Sequence, residues 1–184
     1  MKKKIKKAIF LCGFMGCGKS HIGRLIAEKL ELPFMDSDEQ IEESIGKPIS
    51  QIFDEYGEDA FRRMETVTLA AICGVCDNEN VSGAPKSIVV ALGGGAILNP
   101  MNVALINKYG TSIFVDVDFE TCYERIKRDV EKTRPLAAEK SHEELLELYN
   151  NRKKLYIKNS RHTIDGNADI NHIVRSITEI HAHL

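Results

Sequence analysis

The residues with the clearest chemical potential are Gly13 to Ser20, which match the pattern G-x-x-x-x-G-K-[ST]. Glycines allow positive φ and let backbone N–H groups face an anion without a Cβ in the way. In such a loop Lys19 would reach the β- and γ-phosphates of a nucleotide, and the Ser20 hydroxyl would bind Mg²⁺. The nucleotide contacts predicted for this segment are Gly13, Gly16, Cys17, Gly18, Lys19, Ser20 and His21. A glycine-rich turn without a ligand is the alternative interpretation.

Two acids after a short apolar run could supply a metal ligand and a base. Asp36-Ser37-Asp38 places two carboxylates two residues apart, and in extended backbone such side chains project to the same side. One can serve the metal and the other an acceptor hydroxyl. Asp116, which ends another apolar run, competes with Asp36 for the metal. The alternative is that the first two acids are turn residues, or cap a helix that begins at Glu39.

The segments that must hold these residues alternate between apolar runs and helical patterns, which predicts an α/β fold with a parallel sheet. Strands are predicted at 8–12, 33–36, 87–92, 111–116 and 162–165. Helices are predicted at 19–30, 39–45, 50–56, 59–73, 121–128, 141–158 and 170–183. The phosphate loop would thus lie between a strand and an amphipathic helix, which is the context it requires. A chain of 184 residues fits one domain.

Composition argues against several classes of protein. There are 25 basic and 27 acidic residues, without the basic excess typical of nucleic-acid binders. No apolar stretch is long enough to span a membrane, and the lysine-rich start lacks a signal-peptide core, so we expect a cytoplasmic protein. The five lysines within residues 2–7 are expected to be a solvated leader, with a membrane or nucleic-acid patch as the alternative. The odd number of cysteines, five, favours reduced thiols. The pair Cys73 and Cys76 has too few neighbouring ligands for zinc, so ordinary thiols are favoured over a metal or redox role.

A guanine-specific N-K-x-D motif is missing, because the only Asn-Lys pair, at Asn107, continues as Tyr-Gly. A motor or large ATPase would need a longer chain. A compact kinase that acts on a small molecule remains.

Further motifs occur in the order seen in shikimate kinases, and from about residue 8 to 180 the chain resembles that family. Besides the phosphate loop and Asp36-Ser37-Asp38, they are Gly46, Ile49, Ile52-Phe53, Tyr56-Gly57-Glu58, Phe61-Arg62-x-x-Glu65, Leu92-Gly93-Gly94-Gly95-Ala96, Arg134-Pro135-Leu136, Arg152 and Tyr156. The resemblance implies a P-loop kinase fold with a five-stranded parallel sheet, in order 2-3-1-4-5, flanked by helices. It implies a single domain over 1–184 with a core at about 8–180 and a lid at about 129–140. The implied reaction is ATP + shikimate → ADP + 3-phosphoshikimate with Mg²⁺. We also expect a monomer, and the composition predicts no nucleic-acid or membrane partner.

The resemblance also implies roles on the substrate side. Asp36 helps to hold Mg²⁺, largely through water, and Asp38 binds a shikimate hydroxyl as base or orienting group. Arg62 and Arg152 bind the shikimate carboxylate, for which planar guanidinium groups are suited. From the residues alone, Arg62 could instead be a helix-surface partner of Glu58 or Glu65, and Arg152 part of a solvated face. The substrate-lining turn is Gly93, Gly94 and Gly95, with a plain strand-end turn as the alternative.

On the nucleotide side, Arg134 matches the lid arginine that closes over ATP and stabilises the transferring phosphoryl group. Arg128 or Lys127 would pack on the adenine, and Asn167 falls in the adenine loop. The chain departs from the family pattern at His21, Ala137 and Asp169, and residues 77–86 form a longer loop. These departures concern nucleotide affinity and lid behaviour. A gluconate-type kinase and a non-catalytic nucleotide-binding module are the rival hypotheses.

Overall fold

The computed structural model describes residues 8–77, 87–129 and 140–183, which form one parallel sheet with helices around it. The strand order is β2-β3-β1-β4-β5, as expected from the resemblance. All four pairings are parallel. The strands are β1 (Ala8–Cys12), β2 (Phe34–Asp36), β3 (Ile88–Ala91), β4 (Gly110–Asp116) and β5 (His162–Asp165). The predicted α/β class and sheet order are therefore confirmed.

Seven α-helices connect and cover the strands within the described residues. They are α1 (Lys19–Leu30), α2 (Ser37–Ile45), α3 (Ile49–Asp77), α4 (Pro100–Tyr109), α5 (Phe119–Arg128), α6 (His142–Asn159) and α7 (Ile170–Ala182). A short 3₁₀ helix, Ala96–Leu98, precedes α4. Most of the predicted helices lie within two residues of the observed ones.

The helix predictions are confirmed around Gly57 and incomplete between residues 96 and 110. The helices predicted at 50–56 and 59–73 are both present within α3, on either side of Gly57, whose φ of 77° and ψ of 169° break the helical backbone, and the second continues to Asp77. No element was predicted between residues 96 and 110, where α4 lies. The sequence does contain a start signal for α4, the pair Asn99 and Pro100. In the structure Asn99 caps the helix, because its side chain accepts a hydrogen bond from the Met101 backbone N–H at 2.9 Å. Proline at the first helical position lacks only an N–H that would be unpaired there.

The core lies on both faces of the sheet because the central strands are covered by helices on each side. Every residue of β1 and β3 is buried, which matches their uninterrupted apolar sequences. A second, smaller cluster of Ile41, Ile52 and Phe61 holds α2 against α3. The region that carries Arg62 therefore has an apolar core of its own.

No helix among the described residues is long and apolar enough to cross a membrane. The lysine-rich residues 1–7 and most of the expected lid, including Arg134, lie outside the described residues, as does the Cys76 side chain. Cys73 is a buried thiol.

Gly110 begins β4 where the strand passes very close to β1. An added Cβ would lie 2.8 Å from the Phe10 ring and closer still to the carbonyl oxygen of Ala8. We expect Gly110→Ala to lower the free energy of unfolding by about 1–3 kcal/mol, as overpacking does elsewhere. Gly74, an exposed position of α3 where no described residue lies within 4 Å of an added Cβ, is the matched control. Gly74→Ala should stabilise by about 0.5–1 kcal/mol, and denaturant unfolding of both variants measures the contrast.

Candidate active site

The glycine-rich loop joins the end of β1 to the start of α1. Gly18 caps α1 with φ 86° and no side-chain capping bond within the described part of the chain. The first N–H groups of the helix therefore keep their capacity to bind an anion. Gly16 has φ 80°, and an added Cβ would lie 2.5 Å from the Cys122 carbonyl oxygen of α5. The loop is thus packed so tightly that only glycine fits there.

The two side chains that close the motif lie beside the end of β2. The Ser20 hydroxyl donates a 2.6 Å hydrogen bond to Asp36 Oδ2. Lys19 Nζ donates to the carbonyl oxygen of Phe14 at 3.4 Å, across the loop. A hydroxyl and a carboxylate in contact form a set of hard oxygen donors, which is the chemistry Mg²⁺ prefers. The residues present therefore fit the metal expected from the sequence.

Asp36 combines this position with a structural role. Its Oδ1 accepts a hydrogen bond from the Asp38 backbone N–H at 3.0 Å and caps α2, as the alternative interpretation of this acid predicted. Asp116, the competing candidate for the metal, forms a 2.7 Å ion pair with Lys153 on α6. Of the two acids, Asp36 is the one in contact with Ser20.

Two buried carboxylates converge on the backbone that follows β3. Asp38 Oδ1 and Glu65 Oε1 both lie within 2.7 Å of the point that a Cβ at Gly93 would occupy. Neither oxygen has a hydrogen-bond partner among the residues that the structure describes. Burial is the main cause that raises the pKa of Asp38 to about 7, and the negative charge of Asp36 adds to it, whereas Lys19 opposes it. The free oxygen of Asp38 is therefore available to a ligand hydroxyl.

Two arginines flank the next two glycines of the turn. An added Cβ at Gly95 would overlap the Arg62 guanidinium, and one at Gly94 would lie 3.8 Å from Arg152 NH1. Arg152 is only 8% exposed, so it does not belong to a solvated face. The structure thus brings both arginines to one turn.

Arg62 also makes the two helix pairs that the alternative interpretation predicted. Its NH2 donates to Glu58 Oε1 at 2.8 Å and its NH1 donates to Glu65 Oε2 at 2.6 Å. Glu65 is nearly inaccessible, and burial raises its pKa while the positive charges of Arg62 and Arg152 counteract the increase. Arg62 therefore makes the helix pairs of the alternative interpretation and also lies at the glycine turn, so the pairs do not exclude a role in the site.

Sequence reasoning assigned no role to three residues that hold the turn in place. Ser37 Oγ accepts a hydrogen bond from the Gly93 N–H at 2.8 Å, and the Tyr156 hydroxyl donates to the Gly94 carbonyl oxygen at 2.7 Å. Glu65 is the third, through Arg62. Ser37 lies between Asp36 and Asp38, and no pattern in the sequence distinguishes it. Tyr156 lies one helical turn after Arg152, so spacing alone predicts that the two share a helix face.

The nucleotide-side predictions are spread over several elements. Arg128 forms an exposed ion pair with Glu124 at 3.5 Å, and Lys127 lies over the Tyr123 ring. Arg125, which sequence reasoning missed, is a second cation in contact with the loop, because its NH1 donates to the Gly16 carbonyl oxygen at 3.3 Å. Arg125 lies three residues before Arg128 on α5 and so on the same helix face. This spacing was the signal in the sequence that could have identified it.

The remaining predicted nucleotide contacts differ in exposure. Cys17 is buried beneath the loop, whereas His21 is exposed on α1. Asn167 is exposed, and its backbone N–H donates to Asp165 Oδ1 at 2.9 Å in the turn after β5.

Comparison with known proteins places this geometry in a family. A family model described as shikimate kinase matches residues 15–181. The shikimate kinase of Enterococcus faecalis is 36% identical over 159 residues, 86% of this chain and 88% of that protein. That of Persephonella marina is 41% identical over 148 residues, 80% of this chain and 82% of that protein. A solved structure titled shikimate kinase from Acinetobacter baumannii in complex with shikimate superimposes with a TM-score of 0.83 and 30% identity, covering 98% of this chain and 95% of that one. The chain therefore belongs to the shikimate kinase family.

Proposed function

We propose that this protein transfers the γ-phosphate of ATP to the 3-hydroxyl of shikimate, giving ADP and 3-phosphoshikimate. The observation that carries the proposal is the position of Gly94. An added Cβ there would lie 3.8 Å from both the Gly13 carbonyl oxygen and Arg152 NH1. The phosphate loop and a carboxylate-binding arginine thus meet at one bare residue, where an acidic substrate would face a nucleotide.

Arg62 and Arg152, which both lie at the glycine turn, bind the substrate carboxylate. Guanidinium groups bind carboxylates through paired, charge-assisted hydrogen bonds. The backbone of Gly93 to Gly95 lets a ring approach without side chains in the way. The substrate is then oriented by its acid end, with its hydroxyls towards Asp38.

Asp38 accepts a hydrogen bond from the 3-hydroxyl through its free Oδ1 and takes the proton as the phosphoryl group arrives. A positioned proton acceptor typically contributes about 10²–10⁴-fold. In a loose phosphoryl-transfer transition state, orientation of the hydroxyl contributes as well. Lys19 and the loop N–H groups stabilise the negative charge on the phosphates.

Ser20 and Asp36 would hold Mg²⁺, whose positive charge would offset the negative charge of the nucleotide phosphates. Arg134 acts on the transferring phosphate from the lid, as the resemblance implies. Nucleotide binding also involves Gly13, Gly16, Cys17, Gly18 and His21, with Arg128 and Asn167 towards the adenine. Arg125 stabilises the loop through its hydrogen bond to the Gly16 carbonyl oxygen. The protein works as a cytoplasmic monomer.

A coupled assay of ADP release with ATP and Mg²⁺ tests the proposed function. We expect turnover with shikimate and at most trace turnover with gluconate, because the arginine pair and glycine turn fit a ring acid. Turnover with gluconate alone would show a different hydroxy-acid kinase. Tight ATP binding without transfer to either acceptor would show a non-catalytic module.

Gly93→Ala should separate the acceptor site from the nucleotide site. The new methyl group would collide with Asp38 and Glu65, whereas the loop that binds ATP is untouched. We expect kcat/KM for shikimate to fall about 10²-fold, the typical effect of a 1 Å misplacement. ATP affinity, measured by calorimetry, should change little. Wild-type turnover in a variant with an unchanged unfolding midpoint would contradict the assigned position of Asp38.

The raised pKa of Asp38 should be visible in the stability of the ligand-free protein. Because the folded-state pKa of about 7 exceeds the ordinary value of 3.8, the folded protein binds the proton more tightly than the unfolded chain. The contribution of Asp38 to the free energy of unfolding is fully present below pH 4 and is lost as the pH rises to about 7. We expect the free energy of unfolding of the wild type to fall by on the order of 2–4 kcal/mol more than that of Asp38→Asn between pH 4 and 8. Parallel pH profiles of the two proteins in metal-free urea denaturation would refute this.

A further inference from the structure

Arg62 is already flanked by acids in the absence of any substrate. Its Nε and NH2 donate to Glu58 Oε1 at 3.2 and 2.8 Å, and its NH1 donates to Glu65 Oε2 at 2.6 Å. Arg62, which is proposed to bind the shikimate carboxylate, is therefore already paired with two carboxylates before shikimate binds. An incoming acid must share Arg62 with them or replace one of them.

The two acids differ in how readily they can leave. The Glu65 side chain is 2% exposed, whereas that of Glu58 is 51% exposed. Leaving Arg62 would strand Glu65 as an unpaired buried carboxylate, which is costly. Glu58 would only return to water, and exposed ion pairs of this kind contribute little. Glu58 is thus the partner that a substrate carboxylate can displace.

The backbone ahead of Glu58 explains why it faces Arg62. Gly57 has φ 77° and ψ 169°, a conformation that side chains other than hydrogen rarely adopt. The helix restarts after this break, so Glu58 occupies its first turn, where a negative charge is favoured. Four residues later Arg62 lies on the same helix face. The break therefore positions a carboxylate at the edge of the guanidinium that contains Nε and NH2.

We propose that Glu58 competes with the carboxylate of shikimate for Arg62 and thereby sets the affinity for the acidic substrate. This inference rests on the proposed function. With Arg62 and Arg152 balanced by Glu58 and Glu65, the pocket offers an approaching anion little net attraction. When Glu58 moves into solvent, the Nε–NH2 edge of Arg62 opens to the substrate carboxylate, which can bind it through two parallel hydrogen bonds.

Glu58→Gln tests the competition because it keeps the length and an acceptor oxygen but removes the charge. We expect the KM for shikimate to fall about two- to fivefold, the range set by exposed ion pairs. The value of kcat should change little, because Glu58 is displaced in both the bound ground state and the transition state. The difference in KM should shrink as ionic strength rises, since Glu58 is exposed.

The methyl ester of shikimate provides a readout that a merely structural role would not give. The neutral ester has no carboxylate to exchange with Glu58. Its binding constant, measured by calorimetry, should therefore be the same for the wild type and Glu58→Gln. An equal gain in affinity for the ester and the acid would show a general change of the pocket and would refute the competition.

Two control variants remove a comparable negative charge at positions that do not contact Arg62. Glu179→Gln breaks a comparable exposed pair four residues apart on α7, where Arg175 Nε contacts Glu179 at 3.0 Å. Asp59→Asn removes the same charge from an exposed position next to Glu58. Neither should lower the KM for shikimate as Glu58→Gln does.

The outcomes separate this inference from the function on which it rests. A wild-type protein without shikimate turnover would refute the proposed function. An active wild type with an unchanged or raised KM in Glu58→Gln would refute only the competition. A raised KM would show instead that Glu58 holds Arg62 in position for the substrate.

Discussion

The site depends on bare backbone at the turn of Gly93 to Gly95, because charged groups approach it more closely than any side chain would allow. Carboxylates of α2 and α3 meet at the first glycine, and the guanidinium of Arg62 lies against the last. The Gly93 N–H donates a hydrogen bond to Ser37 and the Gly94 carbonyl oxygen accepts one from Tyr156, which fixes these peptide groups. The absence of side chains is thus what brings opposite charges together around one short segment.

A parallel sheet makes that turn a meeting point for the other elements. The strands β1, β2 and β3 are neighbours that run in the same direction, so the loops that follow them leave from the same edge. Ligands of open α/β sheets bind at the carboxyl ends of their strands. One edge therefore carries the phosphate loop after Cys12, the acid Asp36 and the glycine turn after Leu92. The sheet topology alone therefore brings the loop that binds the phosphate donor close to the turn that binds the acceptor.

Local patterns predicted this architecture well where a motif has a strict backbone requirement. Uninterrupted apolar runs identified β1 and β3, and the glycine-rich motif fixed the start of α1 to the residue. The helix α4 was missed because its hydrophobic spacing is weak, and Asn99 and Pro100 were the only clear signals.

Side-chain partners were harder to predict because they come from distant segments. Lys153 and Asp116 are 37 positions apart in the printed sequence, and nothing near either one indicates their ion pair. Arg125 and Arg128 are both exposed basic residues of one amphipathic helix. Only the packing of α5 against Gly16 distinguishes them. Family resemblance supplied roles for Arg62 and Arg152, but not the acids that already occupy Arg62.

The ties between α6 and the sheet have a consequence for how such a protein can change over evolution. The Tyr149 hydroxyl bonds to the Val117 carbonyl oxygen at 2.8 Å, and Lys153 is paired with the end of β4. These attachments fix the helix that bears Arg152 directly to the sheet, without relying on the segment that joins α5 to α6. Insertions or deletions between α5 and α6 can therefore leave the position of Arg152 intact. The length of that segment and the placement of Arg152 are thereby free to diverge at different rates.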